Sequence, residues 1–223
     1  VLENIFDPLN VSAVMRSCDA VGIREIFVVY TQPYLQRRGL RLGKKTSAGT
    51  FKWIDVYVFD SLEECLSRVR ARYGRVLSTH LSEDSPSLYS LELHQPTALL
   101  FGNEDEGVSA EALSQSDGCF AIPQAGFAES LNISVSCAVS LYEAYRQRAA
   151  LGAYTDHPKL SEADQQSLYD RWTAMVKNRS MDPQSVQYID ANAPPIPPVF
   201  VERDPVVPTR KNTRPDPITR FKL

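Results

Sequence analysis

A mostly parallel, six-stranded α/β sheet flanked by helices is the fold that the sequence predicts. Three observations carry it. Apolar runs of strand length alternate with helical patterns from the first residue to about residue 148, as strands joined by crossover helices do. Helix starts are marked: Ser61-Leu62-Glu63-Glu64 is a capping box, and Ser130 and Asn132 are good capping residues ahead of a long helical pattern. Loops at Thr79-His80-Leu81, Gly102–Gly107 and Ile122–Asn132 follow three of the strand runs, where open α/β sheets bind ligands.

In chain order, Val1–Phe6 reads as a strand turned by Asp7-Pro8. Asn10-Val11-Ser12 then starts a helix with Ala13, Val14, Cys18 and Val21 as its apolar residues, and Gly22 stops it. Asn10, Ala13 and Arg16 lie three apart and share one face of that helix. Glu25–Tyr30 is the second strand. A basic segment follows, with Arg37, Arg38, Arg41, Lys44 and Lys45 uninterrupted by an acid. A solvated loop is the default for such a run, but in a chain that is acidic overall, concentrated cations suggest a phosphate-binding surface. Ile54–Phe59 is the third strand, and the helix capped by Ser61 runs to about Arg72. Arg75–Thr79 and Ala98–Phe101 are the fourth and fifth strands, Ala110–Gln115 a short helix, and Cys119–Ile122 the sixth strand. Beyond Asn132, Cys137, Ala138, Leu141, Tyr142 and Tyr145 recur at helical spacing. Ser134, Ser136 and Ser140 make that helix's first turns small, which lets a backbone or a flat ligand come close. Ser161–Lys177 reads as one more helix, and from Pro183 onward frequent prolines predict an extended tail. The expected division is a domain over 1–150, a helical extension over 151–180 and a proline-rich tail over 181–223.

Composition narrows the function classes. The 223 residues are 43% hydrophobic with a net charge of −3, so any nucleic-acid contact must come from a local patch. No apolar run approaches a membrane span, and no signal peptide is visible. Cys18, Cys65, Cys119 and Cys137 are far apart and in apolar segments, which suits buried free thiols in a reducing cytoplasm. His80, His94 and His157 give no metal-site spacing, so no metal is expected. The Gly102–Gly107 loop lacks the Lys-[Ser/Thr] of a P-loop and does not match GxGxxG. Glu104, Asp105 and Glu106 would repel a pyrophosphate, which disfavours ATP, NAD and FAD and favours a cationic or zwitterionic ligand. Taken without context, the same loop is a tight acidic turn.

The stretches NVSAVMRSCDAVGI, LLFGNEDEGVS and IPQAGFAESLNISVSCAVSLYE resemble, in order and spacing, the three motifs of the SpoU branch of the SPOUT superfamily. These are ribose 2′-O-methyltransferases of tRNA and rRNA. DAVGI and STHLS make the chain most similar to the tRNA guanosine-18 group, whose target lies in the D-loop, and 23S rRNA is the alternative substrate. A non-catalytic RNA-binding assembly factor of the same fold is the rival from another class. The resemblance implies a trefoil-knotted sheet, a homodimer with the Asn132–Glu143 helix near the interface, and S-adenosylmethionine as cofactor. It implies a catalytic set of Arg16, Asn10, Glu104, Ser130 and Asn132. Cofactor contacts would fall on Thr79, Phe101, Gly102, Gly107, Ile122, Gln124 and Leu131, and RNA contacts on Arg37, Arg38, Arg41, Lys44 and Lys45. Gln124-Ala125 departs from the motif's more usual methionine-containing pair, which backbone-mediated contacts would tolerate. A guanidinium hardly deprotonates in proteins, so for Arg16 the expected role is to bind the adjacent phosphate and orient the hydroxyl.

Overall fold

Six short strands pair in parallel. In the computed structural model, which describes residues 1–42, 49–82, 84–128, 130–154, 161–177, 202–203 and 221–222, β1 (Leu2–Glu3), β2 (Glu25–Val29) and β3 (Asp55–Phe59) lie in that order. β4 (Arg75–Thr79) is flanked by β5 (Thr97–Leu100) and β6 (Gly118–Phe120). Leu2 pairs with Phe101 and joins the two halves. There the Glu3 N–H donates to the Phe101 carbonyl (2.9 Å) and the Phe101 N–H to that of Val1 (3.0 Å). The continuous order is therefore β3-β2-β1-β5-β4-β6. It reverses between β1 and β5, so the crevice outside their carboxyl ends is the sheet's topological switch point.

Helices cover both faces. On one side, α1 (Pro8–Ala20) and α5 (Ile133–Ala150) bury Val14, Met15, Cys137 and Leu141 against Val28, Val56 and Leu99. On the other, α3 (Leu62–Arg70) and α4 (Ala110–Ser114) bury Leu66, Val69 and Ala112 against Phe27, Val29 and Leu100. Neighbouring residues of β2 thus enter opposite cores, which is why EIFVV is apolar throughout rather than alternating.

Three expectations need correction. The first strand ends at Glu3 because Asn4 takes a left-handed backbone (φ 53°). Its side chain pays for that turn: Oδ1 accepts from the Thr31 N–H and Nδ2 donates to Thr31 Oγ1, both at 2.8 Å. The first helix starts at Pro8, not Asn10, because Asp7 caps it by accepting from the Leu9 N–H (2.8 Å), and proline at the first turn needs no donor. The basic segment opens with an unforeseen helix, α2 (Pro33–Arg38), started by Pro33 and closed by Gly39 at φ 65°. Elsewhere the element ends lie within two residues of expectation, and Ser61 caps α3 as its capping box predicts. Cys18, Cys65 and Cys137 are buried free thiols, but Cys119 is only half-buried.

α6 (Glu162–Lys177) docks at the amino end of β3. Trp172 meets Trp53 edge-on (5.6 Å), Arg24 lies over the Trp172 ring (4.2 Å), and Arg171 donates to Asp55 (3.0 Å). Burial pushes Arg24 down to about 10 and Asp55 upward despite their mutual attraction. Desolvation thus offsets much of what these charges gain by pairing, while Leu168 and Trp172 add buried apolar surface to the contact. Nearer the carboxyl end, β7 (Glu202–Arg203) and β8 (Phe221–Lys222) form an antiparallel pair, and the rest of the expected tail lies outside the described residues. No helix among the described residues is long and apolar enough to cross a membrane.

Candidate active site

The loop after β5 closes on itself before it reaches the switch point. Asn103 and Gly107 exchange N–H···O bonds of 2.9 Å each. Asn103 Oδ1 accepts from the N–H groups of Asp105 (2.8 Å) and Glu106 (3.1 Å), while Nδ2 donates to the Asn4 carbonyl (2.7 Å). Gly107 sits at φ 71°. A Cβ on Gly102 would lie 2.1 Å from the Gly107 carbonyl and 2.2 Å from the Val108 nitrogen, so the crossing admits only glycine.

That turn aims Glu104 back at the end of β1. Its Oε2 accepts from the Phe6 N–H (2.9 Å), and its Oε1 from the Asp7 N–H (3.3 Å) and Asn10 Nδ2 (2.7 Å). Asn10 Oδ1 in turn accepts from Asn132 Nδ2 (3.2 Å). Asn132 caps α5, accepting from the Ser134 N–H (2.8 Å) and Oγ (2.6 Å). One hydrogen-bonded chain, Glu104–Asn10–Asn132–Ser134, thus locks three segments that are far apart in sequence.

Burial raises the Glu104 carboxyl, but the donors from Phe6, Asn10 and Asp7 together outweigh it and hold the group below its ordinary 4.5. Because the folded value lies below the unfolded one, this carboxylate stabilises the fold above pH 4.5, and that contribution is lost as pH falls through the depressed value. Glu104→Gln is expected to lower the melting temperature near neutral pH, with the wild-type and variant curves converging in acid. Melting curves that stay parallel down the acid limb would contradict this.

The other expected residues divide. Arg16 is exposed, two turns along α1 from Asn10, and makes no hydrogen bond or ion pair among the described residues. Thr79 Oγ1 donates to the Leu100 carbonyl (3.3 Å) and ties the ends of β4 and β5 together. The Leu131 carbonyl accepts from Ser136 Oγ (3.5 Å), Ile122 packs on the α1/α5 core, and Gln124 and Ser130 are exposed on the same loop. Phe101 is buried, its ring 3% exposed and edge-on to Phe120, with its N–H donating to the Val1 carbonyl and its carbonyl accepting from the Glu3 N–H. Arg37 and Arg41 are exposed. Arg38 is instead turned inward, donating to the carbonyls of Ile5 (3.0 Å) and Phe6. Lys44 and Lys45 lie outside the described residues.

Sequence reasoning missed Asn4 and Asn103, whose side chains shape both loops. An asparagine followed by turn residues, as in Asn103-Glu104-Asp105, was the available signal for the second. A cavity of about 420 Å³ lined by Val1, Glu25, Thr97 and Leu141 opens at the amino ends of β2 and β5, the opposite edge from this network. Position at the carboxyl ends, not hollow volume, marks the candidate site.

Residues 1–142 match the model of the SpoU rRNA methylase family. A tRNA (guanosine(18)-2′-O)-methyltransferase of Thermus thermophilus is 40% identical over 172 residues, 77% of this chain and 86% of that protein. The crystal structure of the TrmH/SpoU tRNA modifying enzyme of A. aeolicus superposes with a TM-score of 0.69 at 31% identity, over 78% of this chain and 87% of that one. The SpoU methyltransferase AviRb of Streptomyces viridochromogenes, solved in complex with AdoMet, superposes at 0.57 and 28% identity, over 67% of this chain and 59% of its own. The fold is of the α/β SPOUT type, and its strand order and flanking helices are consistent with a trefoil-knot methyltransferase.

Proposed function

The chain belongs to the SpoU rRNA methylase family, and from that membership we propose that it methylates a ribose 2′-hydroxyl of tRNA, at guanosine 18, using S-adenosylmethionine. The observation that carries this reading is the Glu104–Asn10–Asn132 chain, which gathers residues from all three motifs at the switch point. It is supported by the similarity to guanosine-18 methyltransferases over most of their length.

The three loops fit the cofactor's chemistry. Their carboxylates disfavour a phosphate but tolerate a cation, and their turns present main chain rather than bulky side chains, most strictly at Gly102. Thr79, Gly102, Gly107, Ile122, Gln124 and Leu131 would hold it, over a floor made by Phe101. When bound, S-adenosylmethionine supplies an electrophilic methyl group on a positively charged sulfur.

The protein's task is then alignment, because displacement at that carbon needs the ribose oxygen in line. Arg16 binds the phosphate next to the reacting ribose through its planar fork and orients the hydroxyl. That phosphate would take up the hydroxyl proton, and the cofactor would be left as the neutral thioether once its carbon–sulfur bond gives way to the new oxygen–carbon bond. Glu104 holds Asn10, and Asn10 and Asn132 fix the face of α1 that carries Arg16. Ser130 shapes the loop entering α5. Arg37 and Arg41, with Lys44 and Lys45, attract the RNA backbone. The protein acts as a homodimer through α5, where Val135 and Tyr142 stand 45% and 53% exposed, beside Tyr145, whose ring packs on Tyr154 (4.5 Å).

The test is to incubate the chain with methyl-labelled S-adenosylmethionine and unmodified tRNA or 23S rRNA and map the label. The expected product is 2′-O-methylguanosine at tRNA position 18. Label in rRNA alone, or none, overturns the proposal.

A further inference from the structure

Two aromatic rings stand exposed beside this network, and packing does not account for them. Phe6 is 54% exposed and Tyr34 46%, with ring centroids 6.4 Å apart and planes tilted by 54°. Phe6 is held from both sides of its own peptide. Its N–H is bonded to Glu104, its carbonyl accepts from Arg38, and the Arg38 guanidinium lies 5.7 Å from its ring centroid. The main chain that carries the ring is therefore fixed, while half of the ring faces water. Burying such a ring is what would stabilise the fold, so leaving it exposed and fixed points to a ligand.

We propose that Phe6 and Tyr34, backed by Arg38, form a stacking platform for an unpaired nucleobase of the RNA, that of the methylated nucleotide or its immediate neighbour. The inference rests on the methyltransferase reading above and adds a base subsite to it. Three features select a nucleobase. Unstacked RNA bases pair their faces with aromatic rings and arginine planes, and both are present here. The platform is continuous with the proposed active site, since the Phe6 main chain is itself a ligand of Glu104. Exposed Arg37 and Arg41 follow Tyr34 closely in the chain and suit the phosphates next to such a base. A second copy of the chain fits poorly, because a two-fold contact here would set Arg37, Arg38 and Arg41 against their own copies.

The test uses the full chain and an unmodified tRNA transcript with 2-aminopurine placed in turn at the target and at each adjacent position. Wild-type protein is expected to quench the probe at one of these positions on binding. Phe6→Ala should abolish that quenching and weaken tRNA binding about 5- to 150-fold, the range for losing one base–aromatic stack. Its affinity for S-adenosylmethionine should be unchanged. Phe6→Trp should restore quenching and affinity, whereas Phe6→Leu, apolar but not aromatic, should not.

Rescue by Phe6→Leu, or tRNA affinity unchanged in Phe6→Ala, would overturn the platform. So would a change in sedimentation on Phe6→Ala, which would make the patch an interface between copies. Wild-type protein that binds tRNA without methylating it would instead sink the enzymatic reading, with the quenching data still deciding the base subsite. Wild-type protein that binds no tRNA sinks both.

Discussion

Arg16→Ala is expected to reduce methyl transfer by at least about a hundredfold, the scale of a misaligned nucleophile, while S-adenosylmethionine binds as tightly as before. The reason is positional. Arg16 is exposed and unpaired among the described residues, so its removal leaves no orphaned partner inside the fold. The loops proposed to hold the cofactor are closed by Asn103, Gly107 and Asn132 without it. Arg16→Lys should recover only part of the rate, because an ammonium lacks the planar fork that grips a phosphate at two points. Single-turnover rates with saturating tRNA, set beside calorimetric cofactor binding, make the comparison. Equal loss of both would move Arg16 from the substrate to the cofactor.

Gly102→Ala is expected to act on the opposite side of that division, removing cofactor binding and stability together. The added carbon would meet main-chain atoms of Gly107 and Val108, which cannot swing aside as a flexible side chain does. Relief requires opening the Asn103–Gly107 turn, and with it the Asn103 bond to Asn4 and the aim of Glu104. The cost is on the order of 3 kcal/mol, a fall of about 6–12 °C in melting temperature for a chain of this size. Gly107→Ala should be milder. Open space surrounds that position, and only the left-handed backbone opposes a side chain, at a cost of about 1–2 kcal/mol. A Gly102→Ala protein that melts with the wild type and binds cofactor would show that the crossing relaxes in a way the geometry does not suggest.

Much of this was legible in the chain. Strand runs such as EIFVV and RVLST, the Ser61 cap and the Asn132 cap are local signals, set by side chains within a turn or two of each other. They placed the elements closely, and the three motifs placed Arg16, Asn10, Glu104 and Asn132 among the residues of interest. Errors fell where a local signal was overruled from a distance. VLENIF has the pattern of a six-residue strand, but Thr31 captures Asn4 and ends it after Glu3. The Arg37–Arg41 stretch reads as one cationic surface, yet Arg38 donates to two carbonyls of β1's exit loop.

The sequence by itself determined the order of the six parallel strands and of the helices α1 and α3–α6, and the family, because periodicity, caps and motifs are carried by residues close together in the chain. Only the tertiary structure decided which residues meet. Glu104 reaches Asn10 across 94 positions and Asn132 reaches Asn10 across 122. Such contacts exist only once β1 and β5 lie side by side, since their directional hydrogen bonds need partners that no local pattern specifies.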